Sequence, residues 1–518
     1  MRLTSESRRS TTDFSADTVT TAISVDCQMS CLPTSAMLTL ISLRIRSFRL
    51  RNTMRFSFRE CDSGILMDAC NKPIIMRNNL HNKRPGASLG SIQGEIMRRF
   101  VGRWCVLLAS WWALSAAEAN EANYQHYQVG DRAAGMGGGI SAIADALDAC
   151  YYNPAGLTRT PKNTLSLSAN LYGLQNYKVD DALAPGEKFE TDSFHSVPST
   201  AGGTFRVNTN TIAAFSIFIP KKGSFFETIA FTEKEHYYTL SQDYQTMWLG
   251  PSLAYSYTPR LSLGGSIFGV YESYNSQQSL LWGDVDQAYA NGLKYDSLSL
   301  LGMLGVQYRL DEYWSAGFTF QTPSVALKSD GEYLEDAVDP TVNGKKSGVL
   351  YADNLEVENM IPAKFVLGIA REVPGVWAFG VDVTYHLAES YTRLKGTSSD
   401  GRELEAPLKR ESVLDLNMGG EYVLLGKYPL RAGVFTSRSS APDLDVEESH
   451  YPAQIDLYGM TCSVGATTRN SAVNLGVNYI FGQGDDFGWA FGEATNERVI
   501  VDAREEYLYF IFNTSYYF

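Results

Sequence analysis

The 518-residue chain has no apolar run long enough to cross a bilayer as a helix. Its longest, Cys105 to Ala117, falls short of the roughly 20 residues such a span needs. Charged residues are scarce, at 19%, and their balance is acidic. Residues 1–119 hold 16 Lys+Arg and 9 Asp+Glu against 44 and 57 in the whole chain, so residues 120–518 hold 28 and 48, a net of −20. Phosphate backbones demand a basic stripe, which excludes nucleic acid as a partner of the main body. Cysteine is rarer still. Only Cys150 and Cys462 lie beyond Cys105, too few for a disulfide framework, although an oxidising compartment would let those two pair. The six histidines are scattered, with no metalloprotease or nucleophile-elbow motif, so no catalytic residue, metal ligand or cofactor is assigned. Glycine and aromatics, by contrast, are abundant: 44 Gly, 30 Tyr, 25 Phe and 8 Trp. A membrane protein of this composition has to cross as strands.

From Met97 the sequence reads as an export signal. Arg98, Arg99 and Arg103 precede the apolar stretch, and Ala117 and Ala119 bracket Glu118 as a small-residue cleavage site. Residues 97–119 are therefore expected to be a signal peptide. Residues 1–96, rich in Ser, Arg and Asn and without sustained periodicity, are expected to be an upstream extension, with translation starting at Met97; a disordered pro-segment is the alternative.

Beyond residue 160 the chain alternates with period two. Trp377, Phe379, Val381, Val383 and Tyr385 fall on one face, while Ala378, Gly380, Asp382, Thr384 and His386 fall on the other. The split recurs at Leu261–Tyr271, Leu414–Tyr422 and Val473–Phe481. One face is apolar and aromatic, the other small and polar, as a lipid-facing wall around a wet or plugged lumen requires. Backbone groups in lipid have no water to bond, so the sheet must close. Strand starts near Asn163, Thr200, Asn210, Tyr244, Leu261, Leu293, Trp314, Ala363, Val376, Ser412, Pro429, Leu457, Asn470 and Glu506 predict an all-β, antiparallel transmembrane barrel of about fourteen strands over residues 161–518. The polar stretches 176–199, 222–243, 325–360, 388–411 and 437–456 read as extracellular loops, and the short turns as periplasmic. Tyr516 and Phe518 share one face of the last strand, and this aromatic end resembles the signal read by outer-membrane assembly machinery.

Residues 120–160 have no strand period. They carry Gly130, Arg132, Ala133, Gly135, Gly137, Gly138, Ala142, Ala144 and Asp145, then Tyr151, Tyr152, Asn153, Pro154, Ala155, Gly156 and Leu157. This segment resembles the amino-terminal hatch of the FadL family, the long-chain fatty acid and aromatic-hydrocarbon transporters of bacterial outer membranes. Pro362–Ala370 and Arg431–Gly465 resemble later parts of the family's barrel. One departure is Asp145-Ala146-Leu147-Asp148, where many members carry two acidic residues directly after the Ala-Asp step.

The resemblance implies passive uptake of a hydrophobic molecule by a monomer in the outer membrane of a Gram-negative cell, among its lipid and lipopolysaccharide. Capture, passage to a lumen pocket and sideways release near an inward kink of the third strand would follow. Here that strand is 211–220, with Ile212 and Phe218 facing inward and Pro220 ending the pairing; an ordinary strand with Pro220 at its mouth is the alternative. Strand parity puts Arg206, Arg309, Lys364 and Arg431 on the lumen face with Asp382, Asp415 and Glu421. The cations are either contacts for a fatty carboxylate or members of a network bracing barrel and hatch. Phe225, Phe226 and Ile229 are a candidate capture groove, or a buried loop contact. A general porin, a structural barrel and an outer-membrane lipid hydrolase stay open, the last resting on His386 as the histidine best placed on a strand.

Overall fold

The computed structural model describes residues 122–518 except 161, 168–169, 185, 232–235, 283–286, 339–345, 447–450 and 492–495, all within one compact unit. The upstream extension and the export signal lie outside the described residues. No described helix is long and apolar enough to cross a membrane.

Twenty strands form one antiparallel wall of fourteen staves. Eight staves are unbroken: β5 (Thr211–Phe231), β6 (His236–Ser256), β7 (Leu261–Trp282), β8 (Gln287–Arg309), β17 (Tyr428–Ser437), β18 (Gln454–Thr467), β19 (Ser471–Phe491) and β20 (Asn496–Tyr517). Six are interrupted once. These are β1 (Thr164–Leu167) with β2 (Asn170–Ala184), β3 (Glu187–Pro198) with β4 (Thr200–Arg206), and β9 (Trp314–Gln321) with β10 (Val325–Val338). The others are β11 (Lys346–Val357) with β12 (Lys364–Val373), β13 (Trp377–His386) with β14 (Glu389–Thr397), and β15 (Glu403–Arg410) with β16 (Val413–Leu424). At the end that carries the short turns, ladders run through β1, β4, β5, β6, β7, β8, β9, β12, β13, β16, β17, β18, β19 and β20, and β20 pairs with β1 to close the ring. Eleven of these fourteen begin within three residues of the starts expected from the alternation, whereas β6, β8 and β20 begin six to ten residues earlier than expected.

The staves are far longer than expected. β5 to β8 run 21 to 23 residues, about twice the 9–11 that span a bilayer when tilted. Four of the five supposed loops are the strands of long hairpins; only 437–456 is largely loop, since β17 ends at Ser437 and β18 begins at Gln454. The outward face shows where the spanning part stops. On β8 it is Leu298, Leu300, Leu304 and Tyr308, then changes to Asp296 and Lys294. On β20 it is Phe512 and Phe510, then Glu506, Arg504 and Asp502. Inside, the order reverses. Ser299 and Gln307, or Asn513 and Ser515, line the short-turn half, while Tyr295 and Leu293, or Tyr509 and Tyr507, fill the hairpin half. Leaving a Leu or Phe of the outer belt in water would forgo about 1.5–3 kcal/mol each, so that belt belongs in lipid.

Candidate functional site

Residues 122–160 run inside the ring. Their side chains or backbone bond Thr200 of β4, Ile219 of β5, Ser266 of β7, Gln307 of β8, Thr319 of β9, Asp382 of β13, Asn417 of β16, Thr461 of β18, Asn474 of β19 and Asn513 of β20. Only a segment within the lumen reaches that many staves. It holds two one-turn helices, α1 (Arg132–Gly135) and α2 (Ala149–Tyr152), and a 3-10 turn at Pro154–Arg159. The polar inner face of the wall is what receives its backbone.

The run Asn153-Pro154-Ala155-Gly156 has a local cause. Pro154 opens the 3-10 turn, where its missing N–H costs nothing, and Asn153 Oδ1 accepts from the Ala155 N–H at 3.2 Å. The Asn153 amide donates to Ser141 O and Val306 O, both at 3.0 Å, tying the segment to itself and to β8. Asp148 takes the backbone N–H groups of Asp131, Arg132 and Ala133 at 2.8–2.9 Å, so the displaced second carboxylate of the motif clasps the start of α1. Asp145 instead pairs with Arg132 at 3.1 Å. Gly137 and Gly138 have φ of +60° and +78°, which a side chain would strain. Gly135 packs against Ser463 and Arg431, and Gly156 against Ala144 and Gln307.

Glycines of the wall meet this segment in turn. A Cβ on Gly264, Gly305, Gly317, Gly380, Gly419 or Gly433 would collide with Pro154, Asn153, Ser141, Gly139 or Met136. Several are direct cross-strand partners: Gly264 with Gly305, and Gly380 with Gly419, itself opposite Gly433. They form a belt that lets two backbones touch.

Above the segment lies a cavity of about 90 Å³, several times the ~10–15 Å³ one water needs. Tyr151 and Trp248 give it an aromatic side, with ring centres 5.2 Å apart and Phe218 5.3 Å from Tyr151. Lys364 faces it, its Nζ 5.4 Å from the Tyr151 ring centre, with no ion-pair partner among the described residues. His386, directly opposite Lys364 across the ladder, stacks on Tyr124 at 4.2 Å. Of the acids nearby, Asp382 accepts from the backbone N–H and hydroxyl of Ser141, both at 2.8 Å, and Asp415 Oδ1 accepts from Thr436 and the Arg438 N–H, both at 2.9 Å, while the Asp415 charge acts on Lys364 across the cavity.

The hydrogen-bonded ladder of the wall parts in two places beside this cavity. The β4–β5 ladder ends at Thr200 opposite Phe218, and one further bond joins Ile219 N–H to Ser199 O. Beyond it, β5 slips register against β6 between Phe218 and Lys221, and β3 and β5 lie side by side with no ladder between them among the described residues. Pro220 sits in this slip, lines the cavity and has no N–H to offer. Tyr127 of the inner segment donates its hydroxyl to Ile219 O at 2.6 Å. The second parting begins above Asn417 opposite Phe435, where the β16–β17 ladder ends and Asp415 takes over the bonding. There β15 continues upward while β17 stops.

The cations expected in the lumen separate. Lys364 faces the cavity. Arg431 belongs to a buried network in which it bonds Glu421 at 2.6 Å, Glu421 meets Arg132 at 3.0 Å, and Arg132 and Arg159 share Glu372. That network joins wall to inner segment, which is the bracing arrangement. Arg206 and Arg309 are exposed at the short-turn rim, Arg206 bonding Thr160 O at 2.7 Å, and neither lines the cavity. Ile212 and Phe218 point inward and are buried. The apolar patch on a loop is corrected: Phe225, Phe226 and Ile229 are part of β5, where alternation turns Phe226 outward and packs Ile229 against the inner core. The side chain of Phe225 lies outside the described residues. Tyr516 and Phe518 face outward, stacked 6.3 Å apart. Cys150 is buried, Cys462 exposed, and both are free. Tyr127 and Trp248 went unnoticed in the sequence, since nothing local marks which aromatic rings will meet across the lumen.

A closed antiparallel barrel with apolar outer belt and filled lumen defines a plugged outer-membrane channel. The chain belongs to the family described as outer membrane protein transport protein (OMPP1/FadL/TodX), which matches residues 106–488; that family consists of transport channels. No curated protein matches the sequence. Among solved structures, the toluene transporter TodX of Pseudomonas putida is 16% identical, with a TM-score of 0.56 over 76% of this chain and 99% of that one. A Pseudomonas aeruginosa FadL homologue is 14% identical, with a TM-score of 0.57 over 77% and 100%. The Ralstonia pickettii toluene transporter TbuX is 14% identical, with a TM-score of 0.53 over 76% and 98%. At these identities the likeness concerns the fold.

Proposed function

We propose that this protein takes up hydrophobic molecules passively across the outer membrane, short turns toward the periplasm, and releases them sideways through the wall beside Pro220. The observation that carries this reading is the cavity itself: floored by the inner segment, walled by aromatic rings and open to the parting where the β5 ladder stops. An apolar solute gains nothing in a water-filled bore, and a way out through the wall returns it to an apolar solvent. Residues 122–160 act as the hatch, and Gly135, Gly137, Gly138, Asp145 and the Asn153–Gly156 run hold it in place.

The substrate we favour has an apolar body and a carboxylate head, as a long-chain fatty acid does. Lys364 supports this, because a cation facing the cavity with no ion pair among the described residues gains a charge-assisted bond from such a head. Aromatic hydrocarbons are the second reading, favoured by the Tyr151, Trp248 and Phe218 rings. A deletion strain carrying the wild type or Lys364→Gln separates the two. Uptake of long-chain fatty acid should fall with Lys364→Gln while uptake of alkylbenzene holds. Equal uptake of both by the variant and the wild type would remove the head-group role, and no deficit in the deletion strain would remove transport altogether.

A further inference from the structure

The cavity ends at two partings, and the proposed release uses one. At the other, β15 runs on past the end of β17, and its outer edge, Glu403–Arg410, pairs with no strand among the described residues. Pro407 on that edge has no N–H to leave bare, as an unpaired edge favours. Instead of a strand, Ser440 bonds the place where β15 ends: its carbonyl accepts the Glu411 N–H at 2.7 Å and its hydroxyl meets Arg410 Nη1 at 3.3 Å. The inner segment then fastens to this turn. Ala122 O accepts from the Ser440 N–H at 3.0 Å and the Ser440 hydroxyl at 2.6 Å, Asn123 forms an isolated bridge with Ser439, and its amide donates to Ser437 O at 2.6 Å and Ile455 O at 3.0 Å.

We propose that this second parting, between β15 and Ser437–Ala441, is the inlet through which substrate reaches the cavity, and that Ala122–Asn123 is its latch. The inference rests on the uptake reading above. Among the described residues the other ways in are closed: the short-turn end by the inner segment, and the hairpin end by a core in which Tyr177, Leu240, Tyr295 and Ile455 are fully or almost fully buried. Arg410, Asp415 and Thr436 at this parting line the same cavity as Pro220 at the other, so the two openings are ends of one path. The latch is held by hydrogen bonds to four carbonyl, amide and hydroxyl groups, which can be exchanged for water as it lifts. Because the same segment bonds Ile219 through Tyr127 four residues on, lifting the latch acts on both partings.

Asn123→Cys with Ser439→Cys, in a Cys462→Ser background, would lock the latch through a disulfide between bridge partners. In cells expressing the full chain, the oxidised variant should lose uptake to the level of the deletion strain and regain it on reduction. Full uptake with the cross-link complete would overturn the inlet, while wild-type uptake in the same assay would leave the transport reading standing. Asn123→Ala, which removes the bonds to Ser437 and Ile455 without a cross-link, should raise uptake above wild type; unchanged or lowered uptake by a folded variant would count against the latch.

Discussion

The two halves of the barrel obey opposite rules. Near the short turns, large apolar side chains face out and small or polar ones face in, so that lipid meets the belt and the backbone of the inner segment meets the glycines. In the hairpin half, charge faces out and Tyr, Leu and Ile fill the interior, as in any water-soluble sheet. On β7 the apolar set is Leu263, Ile267 and Tyr271 on the outside, then Tyr274 and Leu280 on the inside. One strand thus changes solvent along its length, and the cavity sits near the change.

The comparison breaks most sharply on the outer face. Leu304→Arg, in the middle of the β8 belt, should cost about 2–4 kcal/mol of folding stability in bilayers, whereas Gln277→Arg on the outer face of the β7 hairpin should stay within about 0.5 kcal/mol. Denaturant titration in lipid vesicles measures both, and equal costs would deny that the halves differ in solvent. Glycine gives a smaller contrast. Gly419→Ala drives a Cβ into Met136 of the inner segment and should cost about 1–3 kcal/mol, while Gly292→Ala, on the outer face of the hairpin half beside Gln277, meets its neighbours only at an ordinary 3.7 Å and should be near neutral. An inner segment loosened by Gly419→Ala should also show as ionic leak.

The same inversion explains what the sequence made legible. In the belt half, alternation with an apolar outer face is continuous, and all fourteen staves of the closed ring could be placed from it. Where the apolar residues switch from odd to even positions, as between Tyr271 and Tyr274, the pattern reads as a strand ending, and the hairpins were taken for loops. That misplacement put Phe226 and Ile229 on one patch when they lie on opposite faces of β5. The turn at Asn153–Gly156 has a local cause in its cap and proline, which is why that run stood out in the sequence. Lys364 was placed by parity, whereas Arg206 and Arg309, on the same parity, fell outside the cavity because parity gives a face and not a height. Tyr127 could not be singled out, since its role depends on Ile219, far along the chain, where a ladder ends; Asp415 was placed on the lumen face by parity, but the end of the β16–β17 ladder beside it was not legible.

The account stands on a lumen that is closed to ions while its wall passes apolar molecules. The purified full chain in planar bilayers and in lipid vesicles tests that directly, by recording conductance and transfer of fatty acid or alkylbenzene in one preparation. Transfer without steady conductance is the expected result. A large steady current, or an ion-tight barrel that speeds no hydrophobic transfer, would contradict it.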